Sequence, residues 1–457
     1  MTSTRDTVLA DPPIDRAGER SAEILERQAR RESATRSYPR RLPIALASGS
    51  GVHVTDVDGR TYVDCLAGAG ALALGHHHPV VDNAIRRAMD DGVPLTTLDL
   101  TTPIKDDFTS VLASVVPPHL ADGRMLFCGP TGADAIEAAV KIARTATGRS
   151  SLVAFGGGYH GMTQGALALT GARDAKEALG PLGGDVQHLP YPAGYRCPFG
   201  APGEESAARC AAALDWALAD SHSGITTPAA LVIEPVQGEG GVHAAPRSFG
   251  QAVRRSADAA GVLVIGDEVQ TGLGRTGALW GSDRIDLRPD LLVLSKAIGG
   301  GLPLSVVVIR DGLDVMAPGA HAGTFRGNQL ALAAGAATIR HVVSERLDLH
   351  AAAMGDRLTR GLRDAAGTDR RVGDVRGPGL MVGVELVDPD APEWWGAAQP
   401  DGGLARRVQQ EMLARGVIVE VGGRHDAVVR FLPPLVIDEP VVDRVAEAFG
   451  EALAATA

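Results

Sequence analysis

Cysteine is scarce in this sequence: Cys65, Cys128, Cys197 and Cys210 are scattered through 457 residues, with no C-x-x-C pair. Such a pattern offers neither a disulfide framework nor a zinc ribbon, and reads as ordinary reduced thiols. Positive charge is also in short supply, with 44 Lys and Arg against 55 Asp and Glu and a net charge of −11. Nucleic acid and anionic membrane both demand a basic footprint, so neither is expected as a partner. No window approaches the roughly 18 continuous apolar residues of a membrane span. The opening segment MTSTRDTVLADPPIDRAGERSAEILERQAR is charged throughout and has no apolar stretch of the secretory kind, so a cytoplasmic location is expected. His76-His77-His78 is the one run that suggests a metal. Consecutive side chains on an extended segment point in opposite directions, and no metal is assigned.

Glycine, by contrast, is abundant at 57 residues, as in α/β proteins with many tight strand-to-helix turns. The length exceeds one ordinary core, so two or more lobes are expected. Residues 1–35 read as a polar arm with some helical character, interrupted at Asp11-Pro12-Pro13. Gly51 to Cys65 reads as a hairpin turning at Asp58-Gly59. Farther on, apolar runs alternate with helical stretches: Met125–Phe127, Ser151–Phe155, Ala230–Ile233, Val262–Ile265, Leu291–Leu294 and Leu304–Ile309. Strands apolar on both faces and spaced by helices indicate a mainly parallel sheet covered on both sides. Gln329 to Ser344 is Ala-rich and helical, and an α+β portion follows, with Leu380–Leu386, Val417–Val421 and Val428–Leu432. The expected architecture is a large α/β domain over 96–340. A smaller α+β domain assembled from both chain ends, 36–95 and 341–457, flanks it.

Two strand ends stand out. In VIGDEVQTGLGRTG a buried strand runs into Asp267-Glu268, and adjacent carboxylates there are costly unless a cation meets them. In LLVLSKAIGGG, Lys296 follows an apolar run and precedes three glycines. A surface lysine and an exposed acidic loop are the bland alternatives. Strand ends, however, are where an α/β sheet places its ligand, and desolvation makes an amine a competent nucleophile toward a carbonyl. Thr131 with Asp134 is a capping-box-like start to a helix whose apolar stripe is Ile136, Ala139, Val140 and Ala143. Glu137 and Lys141 are spaced for a helical ion pair, and the helix start is an anion site, a weak signal taken alone.

Together the D-E-V-Q-T-G-x-G-R-T-G and S-K-A-I-G-G-G runs resemble the class III aminotransferases of fold type I, with the likeness extending over nearly all of the chain after about residue 36. The resemblance implies pyridoxal 5′-phosphate as cofactor, bound to Lys296 as a Schiff base, with Asp267 on the ring nitrogen and Gln270 near the phenolic oxygen. It implies Thr131, Gly132 and Ala133 at the phosphate, Tyr159 stacked on the ring with His160 beside it, and Thr324 reaching the phosphate across a dimer interface. A homodimer or dimer of dimers with shared sites would follow. The family usually writes N-S-G-T where this chain has Pro130-Thr131-Gly132-Ala133, so one hydroxyl contact is missing or supplied by Thr131.

Arg430 lies in an otherwise apolar strand and needs a carboxylate partner, either as a permanent ion pair or at a substrate. By resemblance it binds the α-carboxylate of 2-oxoglutarate or glutamate, and Glu239 neutralises it when an ω-amino substrate is present. Relatives acting on ornithine, acetylornithine or 4-aminobutyrate tend to carry Arg in the H-G-R-T run, where this chain has Met162. The runs CLAGAG, LDLTTP and YRCPFG look closest to the diaminobutyrate:2-oxoglutarate branch, so amino acid and keto acid substrates of that kind are expected. Another ω-aminotransferase is the nearest rival. An aminomutase or racemase is weaker, since Arg430 and Glu239 suit exchange between two substrates, and a non-catalytic protein of the same fold is weaker still.

Overall fold

A computed structural model describes residues 18–177, 179–180 and 182–456; Asp11-Pro12-Pro13 lies outside them. The first helix, Glu19–Ala29, is tied down at its start by Asp58. The Arg20 and Ser21 amides and the Ser21 hydroxyl donate to the Asp58 carboxylate at 2.9, 3.0 and 2.5 Å. Three antiparallel strands follow, β1 Leu46–Ser50, β2 His53–Asp56 and β3 Thr61–Asp64, with the Asp58-Gly59 turn between the last two.

The middle of the chain supplies β4 Arg124–Phe127, β5 Leu152–Phe155, β6 Val186–Leu189, β7 Ala230–Ile233, the short pair β8 Val236–Gln237 and β9 His243–Ala244, then β10 Leu263–Asp267, β11 Leu291–Leu294 and β12 Val306–Ile309. Seven of these form one mixed sheet in the order β4-β12-β11-β10-β7-β5-β6, in which only β12 runs against its neighbours. Every residue of β5, β7, β11 and β12 is buried. Burying each Val, Leu or Ile contributes about 1.5–3 kcal/mol, which is why these strands are apolar without alternation.

The chain then adds β13 Val372–Arg376, β14 Val382–Asp388, β15 Gln399–Pro400, β16 Val417–Ile418, β17 Glu420–Gly422 and β18 Val428–Phe431. Here the two chain ends meet: β16 pairs in parallel with β3, Val417 opposite Val63. The rest build a second sheet, β13-β14-β18-β17, with β15 on β14. No helix among the described residues is long and apolar enough to cross a membrane. His76, His77 and His78 part to separate partners: Asp64 at 2.8 Å, Asp82 at 3.3 Å, and the start of helix Pro79–Asp90, where His78 accepts from the Val80 amide.

Helix Gly132–Thr147 has the expected capping box and buries Ile136, Ala139, Val140 and Ala143; Gly148, with φ +68°, ends it. The helical ion pair anticipated for Glu137 and Lys141 does not form. Glu137 instead accepts from the Thr163 hydroxyl at 2.7 Å and from the Gly165 and Ala166 amides, closing the start of the next helix, Gln164–Leu169. A carboxylate at a helix start gains N–H donors and a favourable dipole, and that outweighs a solvent-exposed ion pair.

Glu268 also departs from expectation, because no cation meets it. Its buried carboxylate accepts from the Thr271 hydroxyl in the turn after β10 and from the Gly281 and Ser282 amides, which open the short helix Gly281–Arg284 and so hold that turn against it. Glu268 thus clamps this turn while Asp267 is left free to face elsewhere. Replacing it, Glu268→Ala, strands those donors and should cost about 2–3 kcal/mol in chemical denaturation. A loss under about 0.5 kcal/mol, the range of ordinary surface changes, would contradict this bracing role.

Candidate active site

Parallel pairing sets Asp267, the last residue of β10, opposite Val293 of β11. Lys296 stands just past the end of β11, so carboxylate and amine emerge from adjacent strands at the same edge. Lys296 opens a 3-10 turn, Lys296–Gly299, with φ +48°, a left-handed conformation uncommon for a residue with a side chain. Neighbouring elements hold it there. Ser295 Oγ donates to the Leu304 carbonyl at 2.9 Å. A Cβ on Gly300 would lie 2.8 Å from the Ala334 carbonyl, so helix Gln329–Ser344 packs directly onto the turn.

Thr131, Gly132, Ala133, Tyr159, His160, Glu239, Asp267, Gln270 and Lys296 all border one cavity of about 890 Å3. Thr131, Gly132 and Ala133 form the start of helix Gly132–Thr147, where backbone N–H groups concentrate positive charge. A side chain at Gly132 would meet Val269 at 2.8 Å, so glycine is what lets the helix start close on the turn after Asp267. Gln270 donates through Nε2 to the Ala69 carbonyl at 3.1 Å, while its Oε1 is buried without a hydrogen-bond partner among the described residues. Thr324 is not in this group: it is exposed, in a separate surface hollow with Leu98, Leu100 and Arg326. Met162, at the mouth, is 57% exposed.

The charges are arranged in opposed pairs. Asp267 Oδ2 meets His160 Nδ1 at 2.8 Å, both buried. Burial is the strongest single influence on His160 and would lower its pKa, but the hydrogen bond and charge of Asp267 outweigh it and the net shift is upward. Lys296 is held below the ordinary amine range, chiefly by burial and further by Arg430, with Glu239 and Asp267 opposing. Arg430, fully buried in β18, is gripped end-on by Glu239: Nη1 to Oε1 at 2.9 Å and Nη2 to Oε2 at 2.7 Å. Burial would raise Glu239, but Arg430 and Lys296 outweigh it and hold the carboxyl down. Its side chain remains 32% exposed, against 0% for Arg430.

Sequence reasoning missed two carboxylates. Glu420 contacts Arg430 Nη2 at 2.8 Å; it interrupts the apolar run Val417–Val421 as Arg430 interrupts Val428–Leu432, so the same pattern could have found it. Glu234 follows β7 just as Asp267 ends β10, so the strand-end pattern could have found it. It accepts from the Tyr159 and Gly238 amides at 2.8 and 3.2 Å, and burial, with Asp267 adding to it, pushes its carboxyl up to about 7.

The family model for class-III aminotransferases matches residues 35–453. The chain belongs to that family. Class III members of similar sequence include enzymes named diaminobutyrate--2-oxoglutarate aminotransferase from Rhizobium meliloti, 51% identical over 94% of this chain and 92% of that one, and from Haemophilus influenzae, 46% identical over 94% of each. Among solved structures, an (S)-enantioselective omega-transaminase from Thermomicrobium roseum superposes with a TM-score of 0.85 at 30% identity, covering 95% of this chain and 98% of its own. The ornithine aminotransferase of Toxoplasma gondii gives 0.80 at 27% identity, covering 95% of each.

The fold is therefore fold type I, and the class III cofactor is pyridoxal 5′-phosphate. The cavity fits that group: a helix start for its phosphate, a buried carboxylate for its ring nitrogen, a desolvated amine for its aldehyde, and an unpartnered amide atom on Gln270.

The raised pKa of His160 has a consequence for stability. A group whose folded pKa lies above its ordinary value of 6.5 stabilises fully below that value, and the contribution is lost as pH rises through the folded pKa. The thermal midpoint of cofactor-free enzyme should therefore fall on going from pH 6 upward through neutrality, and His160→Asn should flatten that part of the profile. Parallel profiles for parent and variant would refute the pairing.

Proposed function

We propose that this class III aminotransferase catalyses L-2,4-diaminobutyrate + 2-oxoglutarate ⇌ L-aspartate 4-semialdehyde + L-glutamate. The observation that carries the reading is a buried Arg430 whose partner, Glu239, lines the cavity and keeps a third of its side chain accessible. That partial exposure leaves the Glu239 carboxylate room to swing away. One carboxylate that can leave lets the same arginine receive a substrate carboxylate instead. The names of the relatives from Rhizobium meliloti and Haemophilus influenzae support the choice of donor. Met162 offers no charge to the donor's distal carboxylate, so that group is recognised by other means.

In this reading Lys296 holds the cofactor covalently, Asp267 pairs with its ring nitrogen, and His160 orients Asp267 through the 2.8 Å bond. Tyr159 covers the ring, Gln270 approaches the phenolic oxygen, and Thr131, Gly132 and Ala133 take the phosphate. When bound, the cofactor supplies an aldehyde for amines and a ring that withdraws electrons from the carbon bearing nitrogen. Freed from the cofactor when a substrate amine takes its place, Lys296 Nζ, whose pKa desolvation depresses, would move a proton from the substrate carbon to the carbon that had carried the cofactor's aldehyde, and the opposite way in the second half. Glu239 withdraws from Arg430 for the glutamate and 2-oxoglutarate pair, and closes again for diaminobutyrate and its semialdehyde.

The reading includes a homodimer, or a dimer of dimers, in which Thr324 serves the partner's phosphate site. Leu98, Leu100 and Phe325 are 54%, 74% and 67% exposed around the loop that bears Thr324, an apolar surface suited to a second subunit.

Initial rates at varied diaminobutyrate and 2-oxoglutarate should give parallel double-reciprocal lines. Catalytic efficiency for diaminobutyrate should exceed that for ornithine or 4-aminobutyrate by about tenfold or more, at least the discrimination a pocket makes over a single methylene. Intersecting lines, or a preference for ornithine, would overturn the assignment.

A further inference from the structure

Strand pairing sets Glu420 of β17 directly across from Arg430 of β18. Arg430 therefore faces two carboxylates, and they hold it in different ways. Glu239 takes both Nη atoms end-on, with two aligned hydrogen bonds. Glu420 brings Oε2 to 2.8 Å from Nη2, yet neither Glu420 Oε2 nor Arg430 Nε has a hydrogen-bond partner among the described residues, though both atoms are buried. The reason lies on the other oxygen. Tyr38 donates its hydroxyl to Glu420 Oε1 at 2.6 Å. So tethered, Glu420 does not turn to form the side-on fork with Nε and Nη2 that an arginine and a carboxylate otherwise favour.

We infer that Glu420, tethered by Tyr38, is the fixed counter-charge of Arg430 and weakens the arginine's grip on whichever second carboxylate it holds, Glu239 or a substrate's. The inference rests on the reading of Arg430 as the carboxylate receptor and Glu239 as the partner that leaves. A buried guanidinium stripped of its only anion would bind any carboxylate very tightly and release it slowly. Glu420 supplies a residual negative charge that weakens this grip and keeps the arginine paired while Glu239 is away. The tether keeps that charge from becoming a full competing fork. In the parent enzyme an arriving carboxylate replaces Glu239, so the repulsion from Glu420 acts on both and largely cancels. Removing Glu239 exposes it.

The test uses holoenzyme and glutarate, a dicarboxylate with neither amino nor keto group, with its Kd read by calorimetry beside the KM for 2-oxoglutarate. Glu239→Gln should bind glutarate several-fold tighter than the parent. In that background Glu420→Gln should tighten binding about tenfold further, in line with the coupling of close buried charges. Tyr38→Phe, which keeps every charge, should instead weaken it about threefold as Glu420 swings into the fork. Opposite shifts from two neighbouring changes are not what loosened packing produces. If Glu239→Gln alone leaves glutarate binding unchanged, the Arg430 reading falls and takes this inference with it. If it tightens binding but Glu420→Gln adds nothing, or Tyr38→Phe shifts Kd in the same direction as Glu420→Gln, only the role of Glu420 is overturned. Should the doubly neutralised protein fail to fold, Tyr38→Phe in the Glu239→Gln background decides by the direction of its shift.

Discussion

Two parallel strands ending side by side are what the site depends on. The register that sets Asp267 against Val293 delivers a carboxylate and an amine to one edge of the sheet, each out of bulk water. Neither group would be useful elsewhere. An exposed lysine stays protonated, and an exposed aspartate competes poorly with solvent for a ring nitrogen. The sheet also provides the backing. Glu268 fastens the turn after β10, helix Gln329–Ser344 packs against the turn after β11, and helix Gly132–Thr147 closes on the turn after β10 because Gly132 carries no side chain.

Charges of alternating sign run from the sheet into the neighbouring strands: His160 with Asp267, then Lys296, then Glu239 with Arg430, then Glu420 with Tyr38. Isolated, each buried charge would be prohibitively costly; paired, the cost is offset by Coulomb attraction and hydrogen bonds in a medium that screens weakly. Such an arrangement suits exchange between two unlike substrates. One end is fixed by two buried side chains, and the other has a carboxylate that is partly open and so free to move.

Much of this was legible in the sequence wherever a buried strand meets a charge. Apolar runs without alternation located the central strands, because residues buried on both faces have no polar alternative. Asp267 and Lys296 stood out as charges at the ends of such runs, and Thr131 with Asp134 marked a helix start through local capping chemistry. Among the strands that escaped notice, β6 and β13 lie at sheet edges and carry Gln187, His188, Asp374 and Arg376, so partial exposure blurs their pattern. Glu137 and Glu268 were misjudged for a shared reason. Spacing and adjacency suggested cationic partners, while the fold offered backbone N–H groups that fit better. Tyr38 and Glu420 are 382 positions apart, and only the joining of the two chain ends brings them together. Thr324 lies outside the cavity of its own chain, and a single sequence carries no mark of which surface a second subunit would cover.

Everything proposed for this enzyme requires one amine, Lys296, to be the point of covalent attachment. Borohydride reduction of the holoenzyme, followed by proteolysis and mass spectrometry, tests this directly. The expected result is a single pyridoxyl-bearing peptide, with the modification on Lys296. A pyridoxyl group on Lys141, Lys176 or Lys105, or an unmodified Lys296 in fully active enzyme, would contradict it.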